Sequence, residues 1–267
     1  MELKPSILII GGTSKFGQRF HSLFERYGAN VTSIGRGRKT QQKSLIRESD
    51  IVIVSVPIHK TEKVLREVTP YMKKESLLAD FTSLKKFPTD IMRKSPSGVL
   101  GMHPLWGPLV ADLTERNIVF CPIKENRYSG YLKEVFKEEK VRVIEMTPEE
   151  HDKKMAYVQA LAHATAINFL ETATDDFNIM ELLEISTPIF KNQTLLGGRI
   201  LAGNPDLYSS IQEYNPYFDK VLKKQIKNLK EHRKLLKKGL LPGHLKKVAS
   251  KLQSFILQAK EESKKIL

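Results

Sequence analysis

The feature that most constrains this chain is the way it opens. A short apolar run, SILIIGG at 6–12, stops on two glycines and passes at once into FGQRFHSLFERYG at 16–28, whose apolar residues recur at helical spacing. A buried parallel strand must hand over to a helix that packs back on its own sheet, so this pattern predicts the start of a βαβ unit. The alternation continues down the chain. NVTSIG (30–35) and IVIVSVP (51–57) read as strands, TEKVLREVTPYM as a helix, and SLLADFT (76–82), GVLGM (98–102), NIVFCP (117–122) and VRVIEM (141–146) as further strands. Apolar runs without a polar face, separated by helices, predict a parallel sheet covered on both sides.

The character changes after Met146. Thr147 can act as N-cap, Pro148 as first helical residue, and Glu150 completes a capping box. From there the pattern is helical over 148–173, about 178–203, 205–238 and 243–265, broken at NPDLY, NPYF and LPGH. The expected architecture is an α/β Rossmann-type parallel-sheet domain over 1–147, followed by an all-α domain over 148–267. A length of 267 residues suits two modest domains, each with its own core.

Composition then removes whole classes of function. One cysteine excludes a disulfide scaffold and CxxC zinc or redox sites. The seven histidines form no HxxxH or HExxH pair, so no metal site is expected. No apolar run approaches the roughly 18–20 residues of a membrane span. The start runs straight into a strand, so neither a signal peptide nor a membrane partner is expected, and the cytoplasm is the expected location. The net charge of +14 invites a nucleic-acid reading. However, residues 219–267 hold 15 Lys/Arg and 4 Asp/Glu, which leaves only +3 for the rest. Lysines spaced between Leu and Ile on helices read as a solvated face, and nucleic acid is disfavoured as a partner.

The glycine turn carries the first chemistry. Gly12, Thr13, Ser14, Lys15, Phe16 and Gly17 fit G-x-S-x-x-G, with Ser14 where a middle glycine usually sits. Gly12 permits the tight turn and Gly17 the close packing of helix on sheet. The helix N-terminus offers unpaired N–H groups to a pyrophosphate. At the end of the second strand, where NAD sites usually place Asp or Glu, this chain has Arg36, Arg38 and Lys39. Cations suit a 2′-phosphate, so NADP is favoured over NAD.

Five further stretches, VSVPIHKTEKVL, LLADFTSLKKFP, VLGMHPLWGP, EEHDKKMAYVQALAH and STPIFKNQTLLGGRILAGNPDLY, resemble in order and spacing the prephenate dehydrogenase family, which includes arogenate and cyclohexadienyl dehydrogenases. The resemblance covers about residues 6–215 and implies a stand-alone oxidoreductase of tyrosine biosynthesis. Its substrate, prephenate or arogenate, carries a 4-hydroxyl and a ring carboxylate; hydride leaves C4, carbon dioxide leaves C1, and the ring becomes aromatic. The resemblance further implies that His103 is the catalytic histidine and that Ser83 lies between it and the nicotinamide. It puts Lys85 near the substrate, Arg199 on the ring carboxylate, and His163 near the substrate side chain, where tyrosine acts as feedback inhibitor. The glycines before Arg199 and the apolar ILA after it suit a buried helix. His151 and Asp152 read as structural support for the helix start. A homodimer through the helical domain is also implied. The competing readings are another two-domain NADP-dependent hydroxy-acid dehydrogenase, or a non-catalytic NADP-sensing or nucleic-acid-binding protein; neither needs His103, Ser83 and Arg199 together.

Overall fold

The computed structural model describes residues 3–35, 42–108 and 110–263. Seven strands form one sheet: β1 (Ser6–Ile10), β2 (Asn30–Ile34), β3 (Ile51–Val54), β4 (Leu77–Asp80), β5 (Gly98–Pro104), β6 (Asn117–Lys124) and β7 (Arg142–Glu145), in the order β2-β1-β3-β4-β5-β6-β7. Among them run α1 (Lys15–Arg26), α2 (Gln42–Glu48), α3 (Ile58–Val68), α4 (Lys86–Met92) and α5 (Arg127–Glu138). Strands β1 to β5 pair in parallel, as the alternating pattern predicts. The sheet is not parallel throughout, because β6 runs antiparallel to β5. After Pro104 the chain returns through residues 105–116 with no crossover helix among the described residues, which suits a strand that runs back antiparallel. Strand β7 then pairs in parallel with β6, after α5 has supplied the crossover.

The unbroken apolar runs are explained by two cores, one on each face. Ile7 and Ile9 face a cluster with Phe20, Phe24, Leu132 and Phe136, contributed by α1 and α5. Leu8 and Ile10, their neighbours in sequence, face Ile46, Leu65, Val68 and Met92 from α2, α3 and α4. Successive strand residues point to opposite faces, so every residue of such a strand must be apolar.

The remaining helices are α6 (Pro148–Met155), a π-helical turn (Ala156–Leu161), α7 (Ala162–Thr174), α8 (Ile179–Glu184), α9 (Pro188–Leu201), α10 (Pro205–Glu213), α11 (Phe218–Lys237), α12 (Leu241–Lys251) and α13 (Gln253–Ser263). The helix start at Thr147 has the expected chemistry. The Glu150 amide donates to Thr147 Oγ1 at 3.2 Å, and the Thr147 amide donates back to Glu150 Oε2 at 3.1 Å. The chain divides into two compact units, Met1–Met155 with Ser209–Asn215, and Ala156–Tyr208 with Pro216–Leu267. Helix α6 thus packs with the sheet, eight residues past the division expected at 147. The long helix expected over 148–173 is interrupted by the π-helical turn where the first unit ends. In the second unit α9 packs closely on α7. A Cβ at Gly197 would stand 2.5 Å from Leu170 Cδ1 and 2.7 Å from the Ala166 carbonyl oxygen. Among the described residues no helix is long and apolar enough to cross a membrane.

Candidate active site

The turn after β1 is built by contacts that only glycine permits. Gly11 adopts φ +87°, and a Cβ there would lie 2.1 Å from the Ser55 carbonyl oxygen. A Cβ at Gly12 would meet Ser33 Oγ at 2.4 Å, and one at Gly17 would meet Gly12 Cα at 2.5 Å. The N-terminus of α1 is therefore drawn tightly onto β1. Ser14, the residue in place of a middle glycine, is the N-cap of α1. Its hydroxyl accepts from the Gly17 amide at 3.0 Å and donates to the Gly11 carbonyl at 3.0 Å. Thr13, Ser14 and Lys15 are exposed at the end of the sheet from which β1 emerges, while Phe16 packs beneath against Phe20 and Phe81. Gly35, just after β2, comes so close that a Cβ would stand 2.4 Å from Thr13 Oγ1. Strand order turns here from β2-β1 to β3, the kind of switch point where open sheets bind ligands. This cradle fits the phosphates of a dinucleotide. Arg36, Arg38 and Lys39, expected at the 2′-phosphate, lie outside the described residues.

Further along the same sheet edge, β4 and β5 pair in parallel with Asp80 beside Gly101, so Ser83 follows the end of β4 while His103 lies within the neighbouring β5, next to its final residue Pro104. Ser83 is half-buried in the loop to α4. His103 is 3% exposed, and its Nδ1 lies 2.8 Å from His151 Nε2. His151, wholly buried in α6, places its own Nδ1 2.7 Å from Asp152 Oδ1. The Asp152 carboxylate also accepts backbone N–H bonds from Lys85 at 2.8 Å and Lys86 at 3.0 Å. Its main-chain carbonyl accepts from the Asn215 side chain at 2.9 Å, which accounts for the segment Ser209–Asn215 belonging to the first unit. Burial holds the His103 pKa well below the ordinary histidine value, and the neighbouring His151 and Lys85 press it the same way. Burial also lowers His151, although Asp152 pulls it back. His103 is thus a neutral imidazole, able to accept a proton.

Lys85 corrects its expectation. Near the substrate by resemblance, it is fully buried here, and its ammonium donates to Asp80 Oδ2 at 2.6 Å and to the Met102 carbonyl at 2.8 Å. Gly101 makes room for its stem, since a Cβ there would meet Lys85 Cδ at 3.0 Å. The ammonium is a strut under the peptide that precedes His103 and does not reach outward to a ligand. Burial raises the Asp80 pKa, against the pull of Lys85 and Thr82.

His163 and Arg199 belong to the second unit. The His163 ring meets Tyr208 edge to face at 4.9 Å, and burial lowers its pKa. Arg199 is exposed on the last turn of α9, contrary to the buried setting expected of it; the residue that α9 buries at this point is Gly197. The structure therefore gathers the glycine turn, Ser83 and His103 at one edge of one unit, and places His163 and Arg199 on helices of the other. The partners of His103 were not legible as such. His151 and Asp152 stood in plain view within a capped helix start, but Asp80 and Asn215 carry no local signal, their roles arising from contacts across the fold.

Two family models match the chain: the nucleotide-binding domain of prephenate dehydrogenase over residues 27–145, and the dimerization domain of prephenate dehydrogenase over 147–253. A probable arogenate/prephenate dehydrogenase of Methanocaldococcus jannaschii is 31% identical, over 96% of this chain and 62% of its own length. The T-protein of Enterobacter agglomerans is 32% identical, over 79% of this chain and 56% of its own length. The chain thus spans little more than half the length of these curated relatives. Among solved structures, prephenate dehydrogenase from A. aeolicus in complex with hydroxyphenyl propionate and NAD+ has a TM-score of 0.73 at 19% identity, covering 96% of this chain and 100% of that one. Synechocystis arogenate dehydrogenase gives 0.69 at 18% identity, covering 98% and 100%. At such identities the structural likeness establishes the fold.

Proposed function

The chain belongs to the prephenate dehydrogenase family, and on that premise we propose that it carries out the oxidative decarboxylation of prephenate or arogenate, with hydride passing to NADP, in cytoplasmic tyrosine biosynthesis. The observation that carries this reading is the His103 ring, buried at the end of β5, held through Nδ1 and neutral.

A nicotinamide cofactor, when bound, supplies the hydride acceptor. Gly12, Thr13, Ser14, Lys15, Phe16 and Gly17 would cradle its phosphates, and Arg36, Arg38 and Lys39 would grip the 2′-phosphate that distinguishes NADP. His103 accepts the hydrogen bond of the 4-hydroxyl and takes its proton as hydride leaves C4. Loss of carbon dioxide from C1 makes the ring aromatic, and the phenolic oxygen recovers the proton. Ser83, following the neighbouring strand, orients hydroxyl and cofactor. Arg199 holds the ring carboxylate, a task for which its planar guanidinium suits a two-pronged contact. His163 faces the substrate side chain and the inhibitor tyrosine. Residues 1–147 serve as the cofactor domain and 148–267 as the substrate and dimer domain. The homodimer reading rests on the dimerization-domain match and on apolar side chains left exposed on the second unit, among them Ile185, Ile189, Leu195 and Leu196.

The test is the absorbance of reduced nicotinamide with NADP or NAD, each against prephenate and arogenate. Turnover is expected with NADP and one of the two substrates. His103→Asn should lower kcat by about 10²–10⁴-fold with cofactor binding retained, and Arg199→Gln should act chiefly on KM. Silence in all four combinations would overturn the proposal.

A further inference from the structure

The helix start at Thr147 carries a histidine and an aspartate that a purely structural reading leaves without a reason for their chemistry. Asp152 does not need His151 to be held. Its carboxylate is fixed by the amides of Lys85 and Lys86, and its carbonyl by Asn215. A packing role for His151 would be met by any apolar side chain of similar size, with no polar group to desolvate. Instead both ring nitrogens of this wholly buried residue are spent, one on Asp152 and one on His103.

The hydrogens along this line follow from the end that has no choice. An ionised carboxylate only accepts, and Asp152 already receives two backbone N–H bonds, so the His151 proton toward it sits on Nδ1. A neutral His151 then presents a lone pair at Nε2. At 2.8 Å, that lone pair accepts from Nδ1–H of His103. A neutral His103 protonated on Nδ1 carries its lone pair on Nε2, on the far side of the ring from His151. The groups that face His151 are Asp152 on its own helix, His103 on β5, and Lys85 and Asp80 from the β4–α4 segment.

We propose that His151, oriented by Asp152, is a positioning residue that fixes the His103 ring and selects its Nδ1–H tautomer, so that Nε2 is the atom that takes the substrate proton. The catalytic use of this lone pair rests on the dehydrogenase reading above; the tautomer does not. When His103 takes a proton, it becomes an imidazolium whose Nδ1–H still donates to His151, with the Asp152 carboxylate one ring further on. No proton need move beyond His103.

The decisive measurement is the pair of ring ¹⁵N resonances of His103 in the histidine-labelled 267-residue chain near pH 7.5, assigned by their loss in His103→Asn. The expected spectrum has a protonated Nδ1 and an unprotonated Nε2; the opposite pattern would overturn the proposal. Because it needs no substrate, this readout decides the relay even if no dehydrogenase activity is found. Where turnover is found, His151→Leu should lower kcat by about 10²-fold with little change in KM and should scramble the His103 tautomer. His151→Gln, whose amide oxygen can stand in for Nε2 as acceptor, should keep the tautomer and recover kcat to within about tenfold of the parent. Equal kcat in the parent and in a folded His151→Leu, or a Gln variant no better than Leu, would also sink the idea. If His151→Leu does not fold, the parent spectrum and the Gln variant still decide.

Discussion

The Lys85 side chain ends where no water reaches it, and that fact sorts two roles for the residue. A lysine that bound substrate would keep its ammonium at the mouth of the site; this one is locked to Asp80 and to the carbonyl of Met102, the residue before His103. Both partners of the pair are fully buried. Removing one partner of such a pair strands the other charge, which typically costs about 3–5 kcal/mol. Lys85→Met should therefore lower unfolding stability by about that amount in urea titration, and Asp80→Leu added to it should recover most of the loss. If Lys85→Met instead left stability intact and raised only KM, the residue would be a substrate ligand after all. The family resemblance offered Lys85 as a substrate-binding residue, and its ammonium is spent instead on Asp80 and the Met102 carbonyl. What spacing could not convey is the direction of the ammonium, because that depends on a carboxylate five residues earlier and on the glycine gap at 101.

At the scale of the element, the turn between β1 and α1 was the most legible part of the chain, since its glycines answer to local geometry. Gly17 shows why. Its Cβ position is filled by backbone, 2.5 Å from Gly12 Cα, and backbone cannot rotate away. Gly17→Ala must push α1 off the turn, so we expect a loss of about 1–3 kcal/mol together with weakened dinucleotide binding by calorimetry. Gly130, in α5, meets nothing within 4 Å at the same position. Gly130→Ala should stabilise by about 0.5–1 kcal/mol through helix propensity and leave binding unchanged. Equal effects from the two substitutions would refute the packing argument. Strands β1, β3, β4 and β5 were equally legible, because burial on both faces writes an apolar run, whereas β2 and β7, with exposed residues among their positions, show it only in part. The reversal of β6 was not legible, since direction depends on what joins two strands, and residues 105–116 look like any loop. Helices α2 and α4 carry little signal because each spans only seven residues, too few to show a helical period. The π-helical turn at 156–161 has no compositional mark.

For the whole molecule, the charge excess and the buried histidines bear on stability in different ways. Most of the +14 lies in residues 219–267, whose described part, up to residue 263, is largely helical and exposed, so that salt screens it. The histidines that matter are the ones water does not reach. His103 and His151 are held neutral in the folded chain by burial, and His163 is shifted the same way. The unfolded chain binds protons on all three as pH falls through about 6.5. Unfolding then takes up protons, and stability must fall as acid is added through that range. Each fully buried histidine contributes up to about 1.4 kcal/mol per pH unit. Asp50 acts later: burial pushes its pKa up, but hydrogen bonds from Ser6 and Tyr128 together outweigh that and hold it down, so its contribution is lost only in more acidic solution. Melting temperature should therefore be flat from about pH 8 to 7 and decline steadily between about 6.5 and 5, before the carboxylates titrate. His163→Phe should make that decline shallower, because the substitution removes a proton that only the unfolded state binds. A melting temperature unchanged down to pH 5 would mean that the histidines titrate in the folded chain as they do in water, and that burial does not hold His103 below the ordinary histidine range.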